Sequence, residues 1–232
     1  MSCLAIFDID GTLVDSRRVI HDSMQKAFVE KGYAAPDYDA VRSIVGLSLD
    51  VAIEKIAPRH ISHADLMELI EAYKRVFLRH RQASENHEPL YEGVLDLLHH
   101  LKDEGWRMGV ATGKSRRGLA ALIKTYEFDR FFDVDFCADD GPGKPHPFMV
   151  EANLRALSVP AERAVMIGDT SFDMIMGRDA DVMTIGVTWG FHTRSEIEQA
   201  GADHCVDNMK DLLSALDTFA LKAGAVTVGH RG

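Results

Sequence analysis

Short runs of apolar residues alternate along the chain with segments whose apolar positions recur every three or four residues. The first pattern is typical of buried strands and the second of amphipathic helices. Strands that alternate with helices predict a doubly wound α/β fold, in which helices cover both faces of a parallel sheet. The predicted strands are Leu4–Phe7, Arg107–Ala111, Val134–Cys137, Ala164–Ile167, Met183–Val187 and His204–Val206.

One long segment, from about residue 16 to residue 88, interrupts this alternation and shows only helical periodicity. We therefore predict an α/β core of residues 1–15 and 89–232, and an inserted helical domain of residues 16–88. An insertion directly after the first strand is expected to lie over the carboxyl ends of the strands as a lid. A helical decoration without a further role is the alternative. Residues 222–232 are predicted to form a loose tail. The helical spacing is clearest at Ile20, Met24, Ala27 and Phe28, at Leu66, Leu69, Ile70, Tyr73 and Phe77, at Val94, Leu95, Leu98 and Leu101, and at Leu212, Leu213 and Leu216.

Composition narrows the class of protein. The 232 residues are 46% hydrophobic and 27% charged, as in soluble globular proteins. A net charge of −10 disfavours a nucleic-acid partner, because such proteins are usually basic. Three widely spaced cysteines favour a reducing compartment over a disulfide framework. No basic segment precedes a long apolar stretch, so we expect a cytoplasmic protein without a membrane partner.

Two aspartates follow the first predicted strand, in the segment from Phe7 to Leu13. If the strand runs to Asp10, the side chains of Asp8 and Asp10 point to the same side. Two carboxylates so close repel each other unless one pKa rises or a cation neutralises them, and Mg²⁺ prefers such oxygen ligands. An ionised aspartate can also attack phosphorus directly. An ordinary strand end with two turn caps is the alternative.

Two further strand ends carry groups suited to phosphate. Thr112 and Gly113 stand where the second strand turns into a helix, a place where hydroxyl and backbone N–H groups bind anions. Lys144 lies in a proline-rich loop as a point charge for phosphate. A helix N-cap and a solvated surface lysine are the alternatives.

Asp169 follows the fourth strand, and Asp173 comes in the first turn of the next helix. A carboxylate there also caps a helix, which is a serious alternative for Asp173. Each segment taken alone has such an ordinary interpretation. Yet all four follow predicted parallel strands, whose carboxyl ends meet at one edge of a sheet. Three acids, a hydroxyl and a lysine at that edge predict a site for a metal-neutralised phosphate.

Together these segments resemble the haloacid dehalogenase superfamily, in particular its phosphoglycolate phosphatase-like branch with a helical cap of the C1 type. The family's DxDGT, [ST]GK, GKP and GDxxxD motifs occur here in the family's order, and the resemblance covers nearly the whole chain. It implies a Mg²⁺-dependent phosphatase that acts on small-molecule phosphomonoesters through an aspartyl-phosphate intermediate.

The resemblance also implies the role of each residue. Asp8 would be the nucleophile, and Asp10 the general acid and then the general base. The side chain of Asp8, the backbone carbonyl of Asp10 and Asp169 would hold Mg²⁺, with Asp173 in support. The phosphoryl group would be bound by Thr112, Gly113 and Lys144.

Several related classes of protein differ from this sequence in their motifs. A dehalogenase lacks the second aspartate and the metal site, and a phospho-accepting receiver domain is about half as long with a different motif order. A sugar phosphomutase of the same superfamily is closer, but it carries a histidine where this chain has Ile20 and basic residues where it has Val45 and Leu49. The mutase and a non-catalytic phosphate-binding pseudoenzyme stay open as alternatives.

The cap segment from Val45 to Ser48 resembles the specificity loop of this group, which makes Gly46 and Ser48 candidate substrate contacts. A carboxylated substrate such as 2-phosphoglycolate would need a cation from the cap, and Arg42 is the nearest candidate. A solvated surface arginine is the alternative for Arg42. The oligomeric state is not predicted.

Overall fold

The computed structural model describes residues 2–82 and 88–224, and these form a six-stranded sheet in the order β3-β2-β1-β4-β5-β6. All neighbouring strands are parallel, which confirms the predicted fold class. Every predicted strand is present, and two of them extend one residue beyond the prediction. The strands are β1 (Leu4–Phe7), β2 (Arg107–Thr112), β3 (Val134–Cys137), β4 (Ala164–Gly168), β5 (Met183–Val187) and β6 (His204–Val206).

Helices connect the strands on both faces of this sheet. Those of the core are α5 (Val94–Asp103), α6 (Arg116–Tyr126), α7 (Phe148–Leu157), α8 (Ser171–Asp179), α9 (Arg194–Gln199) and α10 (Met209–Lys222), and those of the insertion are α1 (Arg17–Glu30), α2 (Tyr38–Arg42), α3 (Leu49–Ile56) and α4 (His63–Gln82). Short 3₁₀ turns occupy Phe128–Arg130 and Ala161–Arg163. None of the helices in the described ranges has both the length and the apolar character needed to cross a bilayer.

Strand β1 lies at the centre of the sheet and is buried on both faces. Because its side chains alternate, Ala5 and Phe7 belong to one hydrophobic cluster and Leu4 and Ile6 to another. Helices α5 and α10 cover the first face, while α7 and α8 cover the second. The buried side of α5 includes Val94, Leu98 and Leu101 as predicted, but Leu97 is buried in place of Leu95, which is 44% exposed.

The order of the strands reverses at β1, whose neighbours β2 and β4 belong to opposite halves of the sheet. Phe7 is in register with Val110 on one side and with Ile167 on the other. The residues that follow these three strands therefore emerge side by side at the carboxyl edge. Open α/β sheets bind ligands at such a switch point.

The inserted segment has a hydrophobic cluster of its own, formed mainly by residues of α1, α3 and α4. In its described part, residues 16–82, all regular elements are helices, as the sequence indicates. Residues 83–87, just before the predicted boundary at Glu88, lie outside the described residues, as do residues 225–232 of the predicted tail. We refer to residues 16–88 as the cap.

The two crossings between core and cap are hydrogen-bonded to each other. The N–H of Asp15 donates to the carbonyl of Pro89 at 2.7 Å, and the N–H of Tyr91 donates to the carbonyl of Leu13 at 3.0 Å. Val14 and Leu90 form an antiparallel bridge between them. The cap therefore joins the core through a short two-stranded ribbon next to the carboxyl end of β1.

Candidate active site

Asp8 and Asp10 line one cavity, although strand alternation does not explain this as predicted. Strand β1 ends at Phe7, and the N–H of Asp8 still donates to the carbonyl of Ile167 at 2.9 Å. The chain then turns, with a hydrogen bond of 2.8 Å from the Gly11 N–H to the carbonyl of Val14. The strand therefore ends before the two aspartates, and both carboxylates line the same cavity just before the chain turns.

Asp8 is held by a buried lysine from the loop before α7. The ammonium group of Lys144 lies 2.6 Å from Oδ1 of Asp8 and 2.6 Å from Oδ1 of Asp173. Burial lowers the pKa of Lys144, but the charges of Asp173 and Asp8 outweigh it and raise the pKa above its usual value. Lys144 therefore stays protonated, and the alternative of a solvated surface lysine is wrong.

Asp173 combines two functions that the sequence presents as alternatives. Its Oδ2 accepts hydrogen bonds from the Thr170 N–H at 3.0 Å and from the Thr170 hydroxyl at 2.7 Å, which forms a capping box at the start of α8. Its Oδ1 faces Lys144. Capping therefore fixes the orientation in which Asp173 meets the other charged groups.

Asp169 is fully buried at the end of β4. Its Oδ1 accepts a hydrogen bond from the Thr12 hydroxyl at 3.0 Å, and its Oδ2 accepts one from the Phe191 N–H at 2.7 Å. Glycines make room for this carboxylate, since a Cβ atom at Gly11 or at Gly190 would lie 2.1 Å from its Oδ2. Gly11 also has a φ of 83°, which other residues rarely adopt.

Asp8, Asp169 and Asp173 form a group suited to a divalent cation. One carboxylate oxygen from each lies within 4.8 Å of the others, and Oδ2 of Asp8 is buried without a hydrogen-bond partner among the described residues. When ionised, these three acids and Lys144 carry a net charge of −2. Hard cations such as Mg²⁺ favour oxygen ligands of this kind, so the residues present fit the ion that the sequence implies.

The pKa values of two carboxyl groups reflect the electrostatic cost of this arrangement. Burial raises the pKa of Asp8 to about 7, with Lys144 opposing the shift and Asp173 and Asp10 adding to it. Burial also raises the pKa of Asp169 well above its usual value, and the charges of Asp8 and Asp173 raise it further. A bound cation would remove this repulsion.

The end of β2 and the cap loop meet above the cavity. Thr112 is buried, Gly113 is half-buried, and both line the cavity together with Gly46 and Ser48 of the cap. A Cβ atom at Gly113 would lie 2.5 Å from the carbonyl oxygen of Gly46. The cap loop therefore rests directly on the phosphate-binding segment predicted from the sequence, in a closed arrangement.

Arg42 does not reach the cavity. Its Nε donates to Asp39 at 2.8 Å, and its Nη1 donates to Oε2 of Glu196 at 2.9 Å. The guanidinium group thus joins α2 of the cap to α9 of the core, and Arg42 is not among the described residues that line the cavity. The charge of Arg42 is therefore paired with Asp39 and Glu196 in this arrangement, and its contact with a substrate carboxylate stays a prediction.

The structure adds a buried ion-pair chain that sequence reasoning missed. The ammonium group of Lys114 lies 2.8 Å from Oδ1 of Asp10 and 2.9 Å from Oε1 of Glu88, while Nε of Arg81 lies 2.9 Å from Oε2 of Glu88. Lys114 also lies over the ring of Phe77, 5.3 Å from its centre. The [ST]GK motif contains Lys114 and the DxDGT motif contains Asp10, but Glu88 lies at the second crossing and Arg81 in the cap, where no motif indicates them.

The cavity has a volume of about 660 Å³ and lies between the cap and the carboxyl edge of the sheet. Asp8, Asp10 and Thr112 form part of its core side. The carboxylates are therefore both buried and open to a bound molecule, as an active site requires.

Comparison with known proteins supports a chemical interpretation of this site. The family model described as "Haloacid dehalogenase-like hydrolase" matches residues 5–187. A protein of Dickeya dadantii (strain 3937) named "Probable phosphatase IndB" is 31% identical over 216 residues, which cover 93% of this chain and 94% of that protein. Pyrophosphatase PpaX of Bacillus mycoides (strain KBAB4) is 30% identical over 215 residues, which cover 91% of this chain and 95% of that enzyme.

A solved structure shows the same fold. The crystal structure of a predicted phosphoglycolate phosphatase from Haemophilus somnus 129pt superposes with a TM-score of 0.82 at 21% sequence identity, covering 92% of this chain and 97% of that one. The likeness includes both the sheet and the helical segments, since nearly all of each chain is superposed.

Proposed function

The chain belongs to the haloacid dehalogenase-like hydrolase family, and we propose that it is a Mg²⁺-dependent phosphatase that hydrolyses small-molecule phosphomonoesters. The observation that carries this proposal is the buried group of Asp8, Asp169, Asp173 and Lys144 at the edge of a cavity that Asp10 also lines. One relative is named a probable phosphatase, which supports it, and another is named a pyrophosphatase, which supports phosphoryl hydrolysis more generally.

In the first half-reaction, a carboxylate oxygen of Asp8 forms a bond to phosphorus, and the bond from phosphorus to the ester oxygen breaks. Asp10 gives its proton to the departing alkoxide. The product is an alcohol and an aspartyl phosphate on Asp8. Lys144 is fixed 2.6 Å from Oδ1 of Asp8, so its charge faces the oxygen atoms that bear the developing negative charge.

In the second half-reaction, Asp10 takes a proton from water as the water oxygen attacks phosphorus. The bond between phosphorus and Asp8 breaks, which releases inorganic phosphate and restores both carboxyl groups. Thr112 and the backbone at Gly113 would bind the phosphoryl oxygens through both steps. The closed cap loop over Gly113 limits access of other water molecules.

Asp8 and Asp169 would hold Mg²⁺ together with the carbonyl of Asp10, and Asp173 would support them. When bound there, Mg²⁺ neutralises the carboxylates and withdraws charge from the phosphoryl oxygens. This assignment is supported by the partnerless Oδ2 of Asp8 and by the close approach of three carboxylates.

Release of inorganic phosphate from the purified protein tests the proposal. We would assay 2-phosphoglycolate, p-nitrophenyl phosphate, a hexose phosphate and inorganic pyrophosphate, each with Mg²⁺ or with EDTA. Release from a monoester that requires both Mg²⁺ and Asp8 supports the proposal, whereas equal release by Asp8→Asn contradicts it. Preference for pyrophosphate would place the protein with the activity for which PpaX is named.

The sugar phosphomutase alternative is tested in the same experiment. A mutase converts a hexose phosphate into its isomer and releases little phosphate. Isomer formation without phosphate release would therefore replace the proposed hydrolysis. A folded protein that binds phosphate without either reaction would correspond to the pseudoenzyme.

A further inference from the structure

We propose that the cap side of the cavity is a subsite for an uncharged, mainly hydrocarbon alcohol group of the substrate. This inference rests on the proposed phosphatase activity and narrows its substrate class. The cavity volume of about 660 Å³ lies within the range of about 300–1,000 Å³ found for pockets that hold larger ligands. A two-carbon acid such as glycolate would leave most of that volume unfilled.

The cap wall of the cavity is mostly apolar. Its lining includes Met24, Leu47, Leu49, Ile70, Phe77 and Leu78. Contact with a hydrocarbon group removes such surfaces from water, which favours binding by about 0.8 kcal/mol for each buried CH₂ group. The same surfaces offer nothing to a carboxylate, whose transfer from water is strongly unfavourable without a partner.

The buried cations around this wall are already paired with carboxylates of the protein. Among the described lining residues, Lys114 and Arg81 are paired with Asp10 and Glu88. The other two, Lys74 and Arg117, are exposed to solvent, and Lys74 pairs with Glu71. Arg42 is held by Glu196 outside the cavity. A negatively charged leaving group would therefore have to break a buried ion pair or extend to Lys74 or Arg117, which are exposed to solvent.

Tyr73 offers a neutral polar group on this wall, in addition to Ser48 of the cap loop. Tyr73 lines the cavity and stacks on Phe77 with ring centres 5.7 Å apart, and its hydroxyl group has no hydrogen-bond partner in the described part of the chain. Tyr73 can therefore donate one hydrogen bond to an ether or hydroxyl oxygen of the substrate. The subsite thus fits an alcohol with a hydrocarbon body and few polar atoms.

Two matched series of substrates test the inference. The first contains ethyl, butyl and hexyl phosphate, and the second contains the phosphates of the ω-hydroxy acids with two, four and six carbons, beginning with 2-phosphoglycolate. We expect kcat/KM to rise about fourfold per methylene group in the first series. We expect each acid to fall at least about tenfold below its alkyl counterpart, because its charge is buried unpaired.

Two variants add the same charge at different places. Leu78 lines the cavity, and Leu78→Lys is expected to bring the acid series to within about twofold of the alkyl series. Val51 is 39% exposed and is not among the described lining residues, so Val51→Lys is the control and should leave the ratio of the two series unchanged. Circular dichroism and thermal melting establish that both variants are folded.

Three results would overturn the inference while the phosphatase stands: rates that do not increase with alkyl length, preference for the acids by the unaltered protein, or an unchanged ratio in folded Leu78→Lys. In each case release would still require Mg²⁺ and Asp8. Absence of phosphate release from every ester would instead overturn the proposed function, and the inference with it.

Discussion

Asp8 and Asp10 are two residues apart, yet the fold gives them different cationic partners. Lys144 lies 2.6 Å from Asp8, and Lys114 lies 2.8 Å from Asp10. Asp8 is nearly inaccessible at 1% exposure, whereas Asp10 is 8% exposed and closer to the cap. This difference suits Asp8 as a nucleophile within the group of three carboxylates, and Asp10 as a proton donor on the side of the leaving alcohol.

At this scale, Asp10→Asn should separate the two half-reactions. The p-nitrophenolate group leaves without a proton, so the variant is expected to form the aspartyl phosphate on Asp8 but to hydrolyse it slowly. The expected result is a burst of about one p-nitrophenolate per protein molecule, followed by a steady rate about 10²–10⁴-fold below normal. Stopped-flow absorbance measures both phases.

The control for this experiment is Asp8→Asn, which should show neither burst nor steady rate because no oxygen nucleophile remains. A burst in Asp8→Asn would contradict the assignment of the nucleophile. An unchanged steady rate in Asp10→Asn would contradict the assignment of the acid and base.

Whole elements are tied together by a few charged contacts between cap and core. The ribbon of residues 13–15 and 89–91 carries the connection, and the ion pairs of Lys114 with Glu88 and of Arg42 with Glu196 add two further contacts. The first pair is buried and the second is partly exposed. The two ion pairs should therefore contribute different amounts to the free energy of unfolding.

The buried pair can be tested by a double-mutant cycle. Lys114→Met leaves Asp10 without its cation and Glu88 with only Arg81, so we expect a loss of about 3 kcal/mol or more in the free energy of unfolding. Adding Glu88→Gln should recover part of that loss, because it removes one of the uncompensated charges. Urea unfolding measures each variant, and strictly additive effects would show that the two groups do not interact.

The exposed pair should depend on pH. Burial raises the pKa of Glu196, but hydrogen bonds from Thr193 and Arg42 outweigh it and lower the pKa to about 2. A carboxyl group whose pKa is lowered by folding stabilises the protein above its unfolded pKa, near 4.5, and this contribution disappears as pH falls toward 2. The window of change is therefore between these two values.

Glu196→Gln isolates the charge, because glutamine can still accept the hydrogen bonds of the Thr193 capping box. The Glu196 side chain is 39% exposed, so solvent screening limits the expected loss at pH 7 to about 0.5 kcal/mol. The difference from the unaltered protein should be smaller at pH 3. An equal difference at both values, measured by urea unfolding, would exclude the ion pair as its cause.

Over the whole molecule, negative charge is concentrated where the chemistry is proposed. The chain has a net charge of −10, and its deepest acidic group lies at the switch point of the sheet. The fold thus keeps several carboxylates near one another in a place of low dielectric constant. A divalent cation there should stabilise the entire protein, because the three carboxylates lie close together only in the folded state.

Mg²⁺ is therefore expected to raise the thermal unfolding temperature. At a concentration 100 times its dissociation constant, the gain is about 2.7 kcal/mol, or roughly 5–10 °C for a chain of this size. Differential scanning calorimetry with Mg²⁺ and with EDTA measures it. Asp169→Asn should lose most of this shift, and the same shift in that variant would contradict the proposed ligand.

The local pattern of the sequence was sufficient to predict the strands and the edge of the sheet at which the site residues meet. Short continuous apolar runs predicted the strands, because a central parallel strand such as Leu4–Phe7 has apolar neighbours on both faces of the sheet. The motif residues could be expected at one edge because parallel strands end on the same side. This is why Asp8, Thr112 and Asp169 were predicted to meet despite their separation along the chain.

Only the tertiary structure decided which charges meet. The sequence placed Lys144 with the acids of the site, but Lys114 and Glu88, 26 residues apart, and Arg42 and Glu196, 154 apart, were not predicted to pair. No periodicity specifies such pairs, because they depend on how the cap packs on the core and on the direction of each side chain. For the same reason, the sequence by itself predicted a phosphate site at this edge of the sheet, while the apolar wall of the cap and the pairing of Arg42 with Glu196 became apparent only in the tertiary structure.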